Sequence, residues 1–222
     1  MSSKNNISEK KIIGLTGTYC AGKNYVAKIL EKRGLRVLDV DKLGHKVIET
    51  EKDRLLARFG EDILGEDGLI DRKLLGEKVF GKPGELAALE EIIHPAVNQE
   101  TLAWIDSLKR KACVINAALL HRSSAFELLD SIIIVEAPVY IRLLRARKRD
   151  KLPWPVILKR FQSQNEFKPQ YFKGKTDIYR VSNPSGCSDS GSLSLIKRLH
   201  TAKLEDRIDE ILSLREIKMI KV

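Results

Sequence analysis

The first forty residues contain two apolar runs with an amphipathic stretch between them. The run at 11–16 ends in a glycine-rich turn, which predicts a buried strand. Residues 24–33 carry apolar side chains at helical spacing with charged side chains between them, and Gly34 follows as a helix stop. A second apolar run at 36–41 predicts another strand and ends in acids. The order of strand, glycine-rich loop, helix and strand predicts a βαβ unit.

The pattern becomes helical over 42–110. Apolar clusters at helical spacing lie on either side of a turn-rich stretch at 60–71, and nothing in this region predicts a strand. His94-Pro95 interrupts the second cluster, so we expect a kink or a new helix start there. The region is therefore interpreted as a helical insertion.

Continuous apolar runs return in the second half of the chain. The runs at 112–120 and 131–138 have the character of parallel strands that are covered on both faces, and 177–183 predicts a fifth strand. Helical patterns cover 154–164 and 195–214. As a whole, the pattern predicts an α/β fold around a parallel five-stranded sheet.

Composition narrows the class of protein. Of the 222 residues, 43% are hydrophobic and 32% are charged, which is typical of a soluble globular protein. No stretch approaches the roughly 18–20 apolar residues of a membrane helix, and the polar start of the chain lacks the apolar region of a secretory signal. We therefore expect a cytoplasmic protein without a membrane partner. Cys20, Cys113 and Cys187 lie far apart, which argues against a zinc site or a disulfide framework.

The net charge of +10 is compatible with three interpretations. A basic surface can bind nucleic acid, basic residues can gather where several ligand phosphates are held, or the surface can simply be a solvated basic face. The sequence lacks the aromatic-rich platform or zinc pattern that would support nucleic-acid binding, so we do not expect that partner.

One segment carries recognisable chemistry. Residues 17–24 read GTYCAGKN and match G-x-x-x-x-G-K, after a predicted strand and before a predicted helix. Glycines let the backbone N–H groups turn toward phosphate oxygens, the helix N-terminus adds its positive end, and the lysine reaches the β- and γ-phosphates. The predicted nucleotide-binding residues of this segment are Gly17, Thr18, Tyr19, Cys20, Ala21, Gly22, Lys23, Asn24 and Tyr25.

The residue after the lysine departs from the usual pattern. A serine or threonine normally stands there and its hydroxyl binds Mg²⁺, whereas this chain has Asn24. An amide oxygen is a hard ligand that can serve Mg²⁺, although its side chain is longer. Asn24 is thus the candidate Mg²⁺ ligand.

Asp39 and Asp41 end the second predicted strand. Alternate residues of a strand share a face, and the carboxyl ends of parallel strands line the ligand crevice. Asp41 can accept a substrate hydroxyl's proton or help to hold Mg²⁺, and it can equally be the N-cap of the following helix.

The stretch 142–151 is rich in arginine and lysine. Arg145 and Arg149 lie four residues apart and would share a helical face. They can form a clamp on transferring phosphate, or belong to a solvated basic helix.

Several motifs, in order along the chain, resemble the dephospho-CoA kinase family. They cover most of the chain, from residue 12 to the final helix, and the middle blocks are not shared by P-loop kinases in general. The matching segments are IGLTG and AGK within 13–23, VLDVDKLGHKV at 37–47, FGEDILGEDGLIDRKLLGEKVF at 59–80, LEEIIHPAV at 89–97, RLLRARKRD at 142–150, KRFQSQ at 159–164 and SNPSG at 182–186.

The resemblance implies phosphorylation of the ribose 3′-hydroxyl of dephospho-CoA by ATP with Mg²⁺, to give CoA and ADP. It implies a three-layer P-loop kinase core with a helical substrate-binding insertion and a helical lid. The polar residues 1–10 are interpreted as a disordered lead-in. The resemblance implies a nucleotide-binding core at 11–41, 112–140 and 176–222, an acceptor-binding subdomain at 42–111, and a lid at 141–175.

The resemblance also implies roles for individual residues. Asp41, Lys23 and Arg145 would be catalytic, with Arg149 and Asn183 on the nucleotide. The acceptor side would comprise Asp39, Asp41, His45, Arg72, His94 and Pro95.

The chain departs from the family at three places, which leaves alternatives open. Asn24 replaces a hydroxyl residue, the stretch 116–122 has no acid, and Arg142 stands where glutamine is expected. The alternatives are a non-catalytic nucleotide-binding homologue and a kinase of another nucleotide-like acceptor. With no heptad or apolar stripe, the sequence favours a monomer.

Overall fold

A computed structural model describes residues 10–109, 112–163, 177–184 and 195–217. The predicted lead-in up to residue 9, the second part of the predicted lid at 164–175 and Cys187 lie outside the described residues. The chain forms two compact units. We call them the sheet unit, built from residues up to Leu38 and from Lys109 onward, and the helical unit, Asp39–Leu108.

The sheet has five strands, as the sequence predicted. Its strand order is β2-β3-β1-β4-β5, and β1 pairs in parallel with both β3 and β4, while β4 pairs in parallel with β5. The strands are β1 (Lys11–Gly17), β2 (Arg36–Asp39), β3 (Ala112–Asn116), β4 (Ser131–Glu136) and β5 (Asp177–Ser182).

Eight α-helices lie in the described residues. They are α1 (Lys23–Lys32), α2 (Val40–Thr50), α3 (Lys52–Phe59), α4 (Arg72–Val79), α5 (Pro83–Ser107), α6 (Val139–Asp150), α7 (Trp154–Ser163) and α8 (Leu195–Leu214). Short 3₁₀ turns cover Glu61–Ile63, Leu120–Arg122 and Ser124–Leu128.

Burial explains why β1, β3 and β4 read as unbroken apolar runs. Their side chains are almost all inaccessible on both faces, as expected for inner strands of a parallel sheet. The main core of the sheet unit joins these strands to the apolar faces of α1 and α8. Arg33 also links α1 to α8, with Nε 2.8 Å from Asp209 and Nη2 3.0 Å from Glu205.

The third strand is shorter than predicted. The run at 112–120 was expected to be one strand, but β3 ends at Asn116. Ala117 N–H still donates to Leu15 carbonyl at 3.0 Å, after which the backbone turns into the 3₁₀ segment that begins at Leu120. Leu120 is nevertheless fully buried, so its apolar character reports core packing and not strand conformation.

Of the two alternatives at His94-Pro95, a kink or a new helix start, the new start was wrong, because α5 continues from Pro83 to Ser107 with Pro95 inside it. Ile93, Val97, Thr101 and Ile105 form a buried stripe at a spacing of four residues on both sides of the proline. The helix packs against α2, α3 and α4 of the same unit, and this burial stabilises it on both sides of the proline, which lacks an N–H.

The stretch at 60–71 also contains a strand-like element that the sequence did not predict. Leu64 and Ile70 form an isolated antiparallel bridge, closed by Gly65 N–H donating to Leu69 carbonyl at 2.8 Å.

Within the described ranges, no helix is both long enough and apolar enough to cross a bilayer.

The inner strand β4 provides a direct test of the core. Ile133→Ala should lower the free energy of unfolding by about 2–5 kcal/mol, because Ile133 is fully buried and alanine leaves a cavity. The matched control is Ile178→Ala on edge strand β5, where 37% of the side chain is exposed and the loss should be clearly smaller. Urea unfolding followed by circular dichroism measures both. Equal losses would contradict this assignment of the core.

Candidate active site

The loop between β1 and α1 is fixed at its start by a close backbone approach. A Cβ on Gly17 would lie 2.5 Å from the Val135 carbonyl oxygen, which is closer than van der Waals contact allows. Thr18 N–H donates to the same carbonyl at 3.3 Å. The loop therefore starts against β4, and only glycine fits at position 17.

The end of the loop has an equally strict requirement. Gly22 is the N-cap of α1 and adopts φ +96°, a left-handed conformation that glycine accepts at no cost. A Cβ there would lie 2.2 Å from Asn183 Nδ2. The Gly22 carbonyl accepts from Tyr25 and Val26 N–H at 3.0 and 3.3 Å, which starts the helix. Lys23 is the first residue of α1, as the motif predicted.

Two side chains hold the carbonyl side of the loop. Arg145 Nη1 donates to the Cys20 and Ala21 carbonyls at 3.2 and 2.9 Å, and Asn183 Nδ2 also donates to Ala21 at 2.9 Å. Arg145 Nη2 donates to the Asn183 carbonyl at 2.8 Å, which ties the two together. In a trans peptide the carbonyl and the next N–H point in opposite directions. The Gly22 N–H is therefore directed away from this clamp, as a phosphate cradle requires.

Asn183 reaches the loop because β5 places it there. It follows the last residue of β5, its N–H donates to the Glu136 carbonyl at 2.8 Å, and it is 2% exposed. The resemblance assigned it to the nucleotide, and the structure brings it to the back of the loop.

A second cluster joins the loop to α6 and α7. The Tyr19 hydroxyl donates to Asp150, which also accepts from Arg149 Nε at 2.7 Å and from Arg160 Nη1 at 3.2 Å. The Arg149 guanidinium lowers the pKa of the Asp150 carboxyl. Burial and the bond to Asp150 raise the pKa of the Tyr19 hydroxyl. Burial raises the pKa of the Cys20 thiol as well, so this loop cysteine is a poor nucleophile at neutral pH.

Aromatic contacts complete the cluster. The Arg149 guanidinium lies 5.0 Å from the Tyr19 ring centre, and Arg142 lies 5.1 Å from that of Phe161. Phe161 meets Tyr19 edge-on, with ring centres 5.2 Å apart. Arg142, the residue that stands where glutamine was expected, also donates through Nε to the Ala137 carbonyl at 3.1 Å.

The candidate metal ligand has a neighbour that the sequence did not reveal. Asn24 Oδ1 accepts a hydrogen bond of 3.2 Å from Asn116 Nδ2, at the carboxyl end of β3. Asn24 is exposed and Asn116 is 1% exposed. Among the described residues, no group of three or more His, Cys, Asp and Glu side chains could hold a metal.

In the helical unit, the two acids do not share a strand face, contrary to expectation. β2 ends at Asp39, and Asp41 lies in the first turn of α2. Asp39 Oδ1 accepts from Lys42 N–H at 3.1 Å, so Asp39 and not Asp41 is the N-cap. Because aspartate is among the best N-caps, the helix starts earlier than the apolar pattern indicated. Asp41 and His45 are one helical turn apart and both are exposed.

The remaining acceptor-side candidates lie on two other helices. Arg72 is the first residue of α4 and lines an open cavity of about 650 Å³ together with Glu49 and Asp71. His94 and Pro95 lie in the middle of α5 and do not line that cavity.

Sequence reasoning missed three residues of the loop's surroundings. Asn116, Asp150 and Phe161 contact loop or helix-start residues that lie far away along the chain. The only signal for Asn116 was the missing acid at the end of its strand. The resemblance covered the segments with Asp150 and Phe161, but it gave neither residue a role.

Comparisons with known proteins identify the family of the chain and relate its fold to a solved structure. The family model for dephospho-CoA kinase matches residues 11–176. The dephospho-CoA kinase of Wolinella succinogenes is 35% identical over 180 residues, which covers 80% of this chain and 88% of that protein. The dephospho-CoA kinase of Halalkalibacterium halodurans is 31% identical over 193 residues, covering 84% and 92%. The crystal structure of TT1252 from Thermus thermophilus matches with a TM-score of 0.72 at 26% identity, covering 92% of this chain and 97% of that one.

The cradle can be tested at its tightest point. Gly22→Ala forces a side chain into a left-handed conformation and against Asn183, so the Kd for ADP should rise at least about tenfold, or ~1.4 kcal/mol. Isothermal titration calorimetry measures the change. Gly84→Ala is the control, because Gly84 has no atom within 4 Å of the added Cβ. An unchanged Kd in Gly22→Ala would contradict the assignment of this loop.

Proposed function

The chain belongs to the dephospho-CoA kinase family, and on that premise we propose that it transfers the γ-phosphoryl group of ATP to the ribose 3′-hydroxyl of dephospho-CoA, giving CoA and ADP. This is the last step of coenzyme A synthesis. The observation that carries the proposal is the loop between Gly17 and Gly22, whose carbonyls are held from behind so that N–H groups face the opposite side.

Phosphate binding follows from that loop. The N–H groups at the start of α1 and the helix dipole attract the phosphates of ATP. Lys23 adds a positive charge for the β- and γ-phosphates. Arg145 and Asn183 hold the loop backbone before ATP arrives, so little reorganisation of its N–H groups accompanies binding.

Asp41 is the proposed proton acceptor. In the reaction the bond between the γ-phosphorus and the bridging oxygen of ADP breaks, and a bond to the ribose 3′ oxygen forms. The carboxylate of Asp41 takes the hydroxyl proton. Asp39 supports this role because its cap fixes the first turn of α2, which carries Asp41. His45, Arg72, His94 and Pro95 are proposed for the acceptor side.

The residues near Asn24 fit a magnesium ion. The amide oxygens of Asn24 and Asn116 are hard ligands of the kind that Mg²⁺ accepts, and the Asn116 oxygen is buried without a partner among the described residues. When bound with ATP, Mg²⁺ would neutralise the charge that develops on the phosphates. Asn24 is proposed as the residue that holds it.

Two arginines of α6, Arg145 and Arg149, have different proposed roles. The Arg145 guanidinium bonds loop carbonyls, and we propose that it acts in the reaction by positioning the loop. Arg149, stacked on Tyr19, is proposed to reach the nucleotide phosphates. Residues 141–175 are proposed to be the lid that excludes water during transfer.

The proposal also covers where the chain works and in which oligomeric state. We propose that the chain works as a monomer in the cytoplasm, where ATP is available. Size-exclusion chromatography with light scattering would check the monomer.

One observation favours a second candidate function. The pair Asn24–Asn116 carries no charge, and a weak metal site would leave a protein that binds nucleotide without turnover. ATP binding without CoA formation would identify this case.

The proton acceptor can be tested with an isosteric change. Asp41→Asn should lower kcat by roughly 100-fold or more, because an amide cannot accept the proton. The measurement is CoA formation from ATP, Mg²⁺ and dephospho-CoA, followed by chromatography.

Asp53→Asn is the matched control for this change. Asp53 also lies in the first turn of a helix of the same unit, α3, and this variant should keep normal activity. If Asp41→Asn retained wild-type kcat, Asp41 would not be the proton acceptor.

A further inference from the structure

Asn24 and Asn116 form a side-chain contact in the sheet unit. Asn24 is the second residue of α1, and Asn116 is the last residue of β3. They are 92 residues apart in the chain, and Asn116 Nδ2 donates to Asn24 Oδ1 at 3.2 Å. The contact therefore joins the helix that follows the loop to the neighbouring strand end.

Asn116 leaves its own oxygen unsatisfied. Its side chain is 1% exposed, and Oδ1 has no hydrogen-bond partner among the described residues. Buried polar atoms normally have a partner, and an unpartnered one can mark the place where an ion or a water binds. The oxygen is bonded to the same amide carbon as the nitrogen that donates to Asn24.

The hydrogen bond also orients the Asn24 amide, so that its oxygen and not its NH₂ group faces the site. An amide oxygen has two acceptor positions, and the bond from Asn116 uses one of them. The other stays available, because Asn24 is exposed at the start of α1. The bond also keeps the Asn24 amide from rotating to present its NH₂ group.

We infer that Asn116 is a positioning residue for a divalent cation: it holds the Asn24 oxygen toward the cation and turns its own buried oxygen to the same site. This inference rests on the proposed function, because the cation is the one that accompanies the nucleotide phosphates. Both oxygens are neutral, so the phosphates supply the negative charge and the cation binds as a nucleotide complex.

Mn²⁺ is a suitable probe because electron paramagnetic resonance measures its free concentration directly. Mn²⁺ is titrated into wild type, Asn24→Ala and Asn116→Leu, each with and without saturating ADP. Leucine keeps the branched shape of Asn116, although its methyl groups are larger, and removes the amide oxygen and the NH₂ group. We expect tight Mn²⁺ binding in wild type only when ADP is present. Both variants should bind Mn²⁺ about tenfold more weakly with ADP, the range expected when a ligand's support is lost.

Two further variants separate positioning from general destabilisation. Val114→Ala removes buried volume two residues earlier on β3 and should lower thermal stability without changing the Mn²⁺ affinity. Asn116→Asp places an anionic oxygen beside the site. It should lower the melting temperature in EDTA, because a buried carboxylate loses its hydration. Mn²⁺ with ADP should restore that temperature.

The outcomes are distinct from those of the activity assay, since this experiment requires no turnover. Weaker Mn²⁺ binding in Asn116→Leu, with ADP affinity in EDTA unchanged, supports the inference even if the chain forms no CoA. Mn²⁺ affinity within twofold of wild type in either Asn24→Ala or Asn116→Leu overturns it. So does an equal loss in Val114→Ala.

Discussion

The geometry of the nucleotide site depends on one constraint, the orientation of the peptide between Ala21 and Gly22. Its carbonyl accepts from Arg145 and Asn183, and this fixes the direction of the following N–H. The two glycines are required because β4 and Asn183 leave no room for a Cβ. A loop held in this way has its donors in position before the ligand binds, which is the condition for strong electrostatic stabilisation.

The constraint is met by parts of the chain that are distant in sequence. β4 supplies the carbonyl against which the loop starts, the end of β5 supplies Asn183, and α6 supplies Arg145. In a parallel sheet the carboxyl ends of the strands all lie on the same side, so the sheet brings these residues together there. Ligand sites recur at the carboxyl ends of strands for this reason. The sheet core and the loop are therefore parts of one arrangement. A change that shifted β4 or β5 would disturb the loop without touching a ligand.

The sequence predicted the elements whose signal is local. Apolar runs located four of the five strands, the segment at 177–183 was predicted as the fifth, and the glycine-lysine motif located the loop. The conformation around Asp39 was predicted wrongly, because strand continuation and N-capping compete there and the capping bond to Lys42 prevails. Contacts over long separations left no local pattern. Tyr19 and Asp150 are 131 residues apart, and only the folded sheet unit shows that they meet.

The central claim is that the phosphoryl group held by this loop goes to dephospho-CoA. The most direct measurement is ³¹P nuclear magnetic resonance of a reaction containing the wild-type chain, ATP, Mg²⁺ and dephospho-CoA. We expect a new 3′-phosphomonoester signal that grows in equal amount with ADP. ADP without that monoester, or no consumption of ATP, would contradict it.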